Sequence, residues 1–138
     1  MCITLWIQHP WHQSTNFPFV IAFNRDEDVS REAEALQFQD HHRCSPNIVC
    51  GIDKQTGTTW FAFNRKTGRF ACLTNFRTLR NRLLERKYES RGSLVLEYVK
   101  IDDMDIFEGD RQRIEGFMER LRCDTYKGFN LLYGNLFD

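Results

Sequence analysis

The chain has 138 residues, 19 basic against 19 acidic side chains, and 41% hydrophobic residues that include twelve Phe and three Trp. That length suits a single domain, 1–138, with a packed core, and the aromatic content excludes a disordered chain. Neutrality leaves no global field towards nucleic acid, and no apolar run approaches the ~18 residues of a membrane span.

Met1 and Cys2 are followed by an alternating segment, Cys2 to Ile7, with Ile3, Leu5 and Ile7 on one face and Thr4 and Trp6 on the other. This is a strand pattern. Pro10 and Pro18 bracket a polar connection, and Phe19 to Phe23 is a continuous apolar run that suits a strand buried on both faces. Ser30 to Pro46 is polar, with one helical turn expected around Arg31 to Ala35. Ile48 to Ile52, Thr58 to Phe63 and Phe70 to Phe76 read as strands joined by short connections that end in Gly57 and Gly68. They form an antiparallel meander.

Beyond Phe76 the period changes. Ser93 is placed to cap a helix from Leu94, with Leu94, Val95, Tyr98 and Val99 as its apolar stripe. A second helix is expected from Asp110 to Arg122, and Gly128 to Tyr133 returns to a strand. Strands, then helices, then a strand describe a layered α+β fold with helices segregated from antiparallel sheet. Arg65 to Arg91 carries nine basic residues against two acidic ones, and Asp102 to Asp110 five acids and no base, as solvated faces commonly do.

Five cysteines (Cys2, Cys44, Cys50, Cys72 and Cys123) are an odd number with no secretory leader before them. The expectation is a reducing compartment, the cytoplasm, and free thiols.

Cys2 carries the sharpest chemical signal. A small residue behind the initiator Met permits its removal, leaving a thiol and an α-amine on one residue. Their ordinary pKa values are about 8.5 and 7.7–8.0, so the amine can act as base for the thiol. The alternative is a small apolar residue that starts a buried strand. Asn24, Arg25, Asp26 and Glu27 follow the apolar run to Phe23. Arg25 and Asp26 either pair structurally or serve Cys2, Arg25 by favouring thiolate and Asp26 by holding the α-ammonium. Asn24 and Glu27 are candidate binding residues beside them.

Asn75, closing its strand, can donate to a developing oxyanion; Asn130 is open to the same reading or to that of a turn residue. Arg77 heads a basic stretch, with Arg80, Arg82, Arg86, Lys87 and Arg91, that can grip phosphates of an anionic metabolite. His41, His42, Cys44 and Cys50 lack the spacing of a zinc site, so no metal is assigned. His9 and His12 are candidate axial ligands for haem.

Several blocks together resemble the NRDE family, the Transport and Golgi organisation protein 2 family. They are Met1-Cys2-Ile3, Ala22 to Glu27 with Ser30-Arg31, Gly51-Ile52-Asp53, Gly57 to Trp60, Leu73 to Phe76, Ser90-Arg91-Gly92 and Tyr126 to Leu132. The chain is similar, more distantly, to N-terminal-nucleophile hydrolases of the bile-salt hydrolase and penicillin acylase group. This resemblance implies a layered αββα fold, incomplete here because the family domain is longer and this chain matches its N-terminal portion. It implies roles for Cys2 as nucleophile and base, for Arg25 and Asp26 as supports, with Asp28 a rival to Asp26, and for Asn75 as oxyanion donor.

The resemblance further implies Golgi organisation and secretory trafficking, with haem or lipid homeostasis, at the Golgi or mitochondria. The first functional reading is a hydrolase of non-peptide C–N bonds acting on a small amide. The second is a non-catalytic carrier of haem or a lipid-like ligand, haem being cargo and no cofactor being required. The third is a pseudo-enzyme interaction module, in which a dimer or partner covers an exposed sheet edge.

Overall fold

The computed structural model describes residues 2–9, 17–38, 45–76, 88–101, 109–121 and 125–137. Arg77 and the basic stretch to Lys87, His12, His41, His42, Cys44, Cys123 and the acidic run after Asp102 lie outside the described residues. Among the described residues, two antiparallel sheets and two helices make an α+β fold.

Strands β1 (Ile3–Gln8) and β2 (Phe19–Asn24) form a two-stranded sheet in which Ile3 pairs with Asn24 and Gln8 with Phe19. Strands β3 (Gln37–Phe38), β4 (Ile48–Cys50), β5 (Phe61–Asn64), β6 (Arg69–Asn75) and β7 (Phe129–Asn135) follow in that order across a five-stranded sheet. The meander β4–β5–β6 is the one expected. The turn between β5 and β6 closes on Gly68, which has φ +75° and donates to the Asn64 carbonyl at 2.9 Å. Only glycine adopts that backbone without strain. β7 pairs along the whole of β6, from Arg69 opposite Asn135 to Asn75 opposite Phe129.

Alternation along these strands sends Ile48, Cys50, Ala62, Ala71 and Leu73 to one face, where helix α1 (Gly92–Val99) buries Leu94, Val95 and Val99 completely. Each such side chain contributes about 1.5–3 kcal/mol. Asn64 Nδ2 donates to the Val99 carbonyl at 2.8 Å and so satisfies one of the orphan acceptors of the helix end. Helix α2 (Gly109–Leu121) adds Phe117 to this core, beside Tyr98 and Tyr133.

The opposite face of the sheet receives the β1–β2 hairpin. Phe19 packs on Phe70 with ring centroids 5.1 Å apart, Phe23 on Phe61 at 6.1 Å, and Cys72 Sγ lies 3.8 Å from Thr4 Oγ1. Among the described residues the layers are therefore helices, five-stranded sheet and hairpin. The second helical layer of an αββα arrangement is not among them.

Three expectations are corrected. β2 is not buried on both faces: Phe19, Ile21 and Phe23 are half-buried, while Val20, Ala22 and Asn24 are exposed. A hairpin packed by one face exposes the other, and an apolar run alone does not reveal this. On that outer face Ile3, Leu5 and Ile7 remain 52%, 66% and 57% exposed. Second, Ser93 does not cap α1. The N-cap is Arg91, which makes no side-chain cap bond, and the Ser93 hydroxyl donates to the Ser90 carbonyl at 2.8 Å. Third, Arg31 to Ala35 is not a helical turn. Glu34 N–H donates to the Ile52 carbonyl and Lys54 N–H to the Glu32 carbonyl, so this segment pairs alongside Ile52 to Lys54.

Candidate functional site

The β1–β2 register, carried one residue past Ile3 and Asn24, sets Cys2 opposite Arg25. Both then share the inward face with Thr4 and Phe23, and Cys2 is only 7% exposed. With Thr4 against Cys72 and Phe19 against Phe70, the Cys2 end of the hairpin lies over the Asn75 end of β6.

Arg25 reaches across to the main sheet. Its guanidinium carbon stands 4.1 Å from the Trp60 ring centroid, and Nη2 donates to the Arg31 carbonyl at 2.9 Å. Its Nε is enclosed and has no hydrogen-bond partner. Asp26, which is exposed, has its carboxyl held below the ordinary range. The main cause is a hydrogen bond from the chain's N-terminal ammonium, with that ammonium's charge second and a smaller opposing effect of burial.

The other acids of the segment turn elsewhere. Glu27 pairs with Arg31 at 3.2 Å, and Arg31 Nε donates to Asp53 Oδ2 at 2.8 Å. Asp53 is 1% exposed, and its other oxygen accepts the Gln55 N–H at 2.9 Å. This carboxylate is buried because it is fully partnered. Asp28 accepts both the hydroxyl and the N–H of Ser30, and these bonds hold its carboxyl down. Asp28 thus folds onto its own turn.

Asn75 ends β6 on the face that carries Leu73, and it lines a polar cleft of about 290 Å³ at the start of α1, together with Asp53, Trp60, Ser90, Arg91 and Lys127. Asn130 is exposed and donates to Thr74 Oγ1 at 3.2 Å, on the other face from Asn75. Asn24 is exposed beside Ile3 on the outer face of the hairpin. A second, apolar cleft of about 330 Å³ lies between the hairpin and the sheet, lined by Ile21, Phe23, Arg25, Leu36, Trp60 and Phe61 among others. Trp60 borders both clefts. The residues expected to act together are thus divided about it, with Cys2 and Arg25 on the hairpin side and Asn75 on the helix side.

A family model described as Transport and Golgi organisation 2 matches residues 1–138. The chain belongs to that family. No curated protein matches it in the corresponding search. Membership suggests a role related to the Golgi and to trafficking. No helix among the described residues is long and apolar enough to cross a membrane.

In this family member the organising residues that sequence reasoning did not assign to the site are Trp60, Arg31 and Asp53. Arg31 and Asp53 each sit in one of the motif blocks, so opposite charges in neighbouring blocks were the available signal. Nothing local to Trp60 reveals that Arg25 lies over it. Among the described residues no group of three or more His, Cys, Asp or Glu is placed to hold a metal ion.

Proposed function

We propose that this chain serves Golgi-related trafficking as a carrier of a small apolar ligand bearing an anionic group, haem or a lipid-like metabolite. It works in the cytoplasm, in association with the Golgi or mitochondria. The observation that carries the reading is Arg25, a cation at the wall of a mostly apolar cleft. A mostly apolar cleft with few charged groups, here Arg25 and Glu34, is the usual make-up of a small-molecule site.

The test is titration with haemin, followed at the Soret band, and with a fluorescent long-chain fatty acid. Saturable binding of either probe that Arg25→Met weakens, and that Leu36→Trp blocks by filling the exposed mouth, supports the carrier. Binding indifferent to both variants sinks it.

One observation favours a second reading, a hydrolase of non-peptide C–N bonds: the strand register sets Cys2 opposite Arg25. After Met1 removal the Cys2 thiolate would attack an amide carbonyl, and the α-amine would pass the thiol proton to the leaving amine. Water would then hydrolyse the thioester. Its test is Cys2→Ala against a panel of small amides, where turnover equal to that of wild type removes Cys2 from any reaction.

A further inference from the structure

The polar cleft on the far side of Trp60 has no part in the carrier reading and shares only Asn75 with the hydrolase reading. We propose that it is a binding site for a compact oxyanion, the phosphate of a monoester or a carboxylate. Its lining carries three cations, Arg31, Arg91 and Lys127, against two carboxylates, Asp53 and Glu89. Both carboxylates are already engaged. Arg31 and the Gln55 N–H hold Asp53, while Glu89 accepts from the Tyr126 hydroxyl at 3.3 Å and lies 3.9 Å from Arg120. Arg31 and Asp53 offset one another, so the rest of the lining holds Arg91 and Lys127 against Glu89, one positive charge in excess.

The neutral groups point the same way. Thr56, Thr58 and Ser90 form a chain of hydroxyls, with oxygens 2.8 Å and 2.9 Å apart. Three hydroxyls carry three hydrogens and the two internal bonds use two of them, so one remains to donate outward. The Asn75 side chain adds an amide to the same wall. Arg91 is fixed at the rim by donation from Nη1 to the Gly128 carbonyl at 2.9 Å. Cations together with hydroxyl and amide donors around one cleft select an acceptor-rich anion, and charge-assisted bonds of this kind are the strong ones.

Sodium phosphate, sodium acetate and sodium chloride, at matched ionic strength, would be titrated into the ¹⁵N-labelled full chain and followed by amide shifts. The site predicts saturable shifts at Thr58, Ser90 and Gly92 and at the Asn75 side-chain amide, with phosphate or acetate but not with chloride. Whichever of the two anions saturates identifies the source of the oxyanion. Lys127 is exposed, so Lys127→Glu keeps the fold, which unshifted signals elsewhere would verify, and should weaken binding by about tenfold or more. Shifts that stay linear, that chloride reproduces, or that survive both Lys127→Glu and Ser90→Ala unchanged would overturn the site. The probes have no apolar part, so their failure would leave the apolar cleft's reading standing.

Discussion

Arg25 stacks on Trp60 with its guanidinium carbon 4.1 Å from the ring centroid, and Arg31 approaches the same ring at 5.9 Å. The first contact joins the hairpin to the five-stranded sheet at the end where Cys2 lies. An arginine over the indole face contributes about 0.5–1 kcal/mol when exposed and about 2 kcal/mol when desolvated.

Trp60→Leu should therefore destabilise the chain by about 2–4 kcal/mol, the sum of that contact and of lost ring burial. Trp60→Phe should cost less, since it keeps a ring under Arg25. Urea unfolding of both variants checks the order, and equal losses would mean that the guanidinium contact contributes nothing.

Asp53 and Glu27 both pair with Arg31, yet they should behave differently. Removing Glu27, which is partly exposed, with Glu27→Gln should cost no more than about 1 kcal/mol. Asp53→Ala removes a buried carboxylate that also holds the Gln55 N–H, and should cost about 2–3 kcal/mol, less than a fully buried pair because Arg31 is 30% exposed. Denaturation midpoints at constant m-value would reveal the difference.

Gly92 and Gly116 offer opposite outcomes for one substitution. A Cβ at Gly92 would stand 2.6 Å from the Thr59 carbonyl oxygen, whereas one at Gly116 meets nothing within 4 Å. Gly92→Ala should destabilise by about 1–3 kcal/mol as α1 is pushed off Thr58 and Thr59. Gly116→Ala, in a helix interior, should stabilise by about 0.5–1 kcal/mol.

Burial pushes the Cys72 thiol pKa up, against a smaller lowering by its bond to Thr4. A thiol whose pKa is higher folded than unfolded stabilises the fold fully below the unfolded value, about 8.5, and loses that contribution as pH rises towards the folded value. Cys72 should resist alkylation in the folded chain at pH 8 and react once urea unfolds it. Peptide mapping of alkylated Cys72 settles this, and the same digest reports whether Met1 is removed and whether Cys2 reacts faster than Cys50 or Cys72. Rapid Cys2 modification well below the ordinary thiol pKa would favour the hydrolase reading.

The parts of the fold legible in the sequence were those with local causes. Gly68 and the alternation around Ala62 and Ala71 specify the meander, and the stripe of Leu94, Val95, Tyr98 and Val99 specifies α1. What was not legible depends on distant partners. Phe19 to Phe23 looks the same whether one face or two are covered. Arg31 to Ala35 takes its extended form from backbone bonds to Ile52 and Lys54. Within the candidate site, the nearness of Cys2 to Arg25 follows from pairing adjacent strands. The separation of Asn75 from them depends on which face of β6 it occupies, and that is fixed only by where α1 packs.

The hairpin bearing Cys2 is a two-stranded sheet whose outer face no described element covers, and such ribbons are marginal by themselves. Its folding free energy is borrowed through Phe19, Phe23, Thr4 and Arg25 from the sheet beneath. Local opening should therefore come easily here, with the hairpin amides exchanging with solvent long before those of β5 and β6. A thiol closed in the resting fold would then be presented intermittently, and its encounter rate with any reagent would be set by the hinge motion of one hairpin and not by global unfolding.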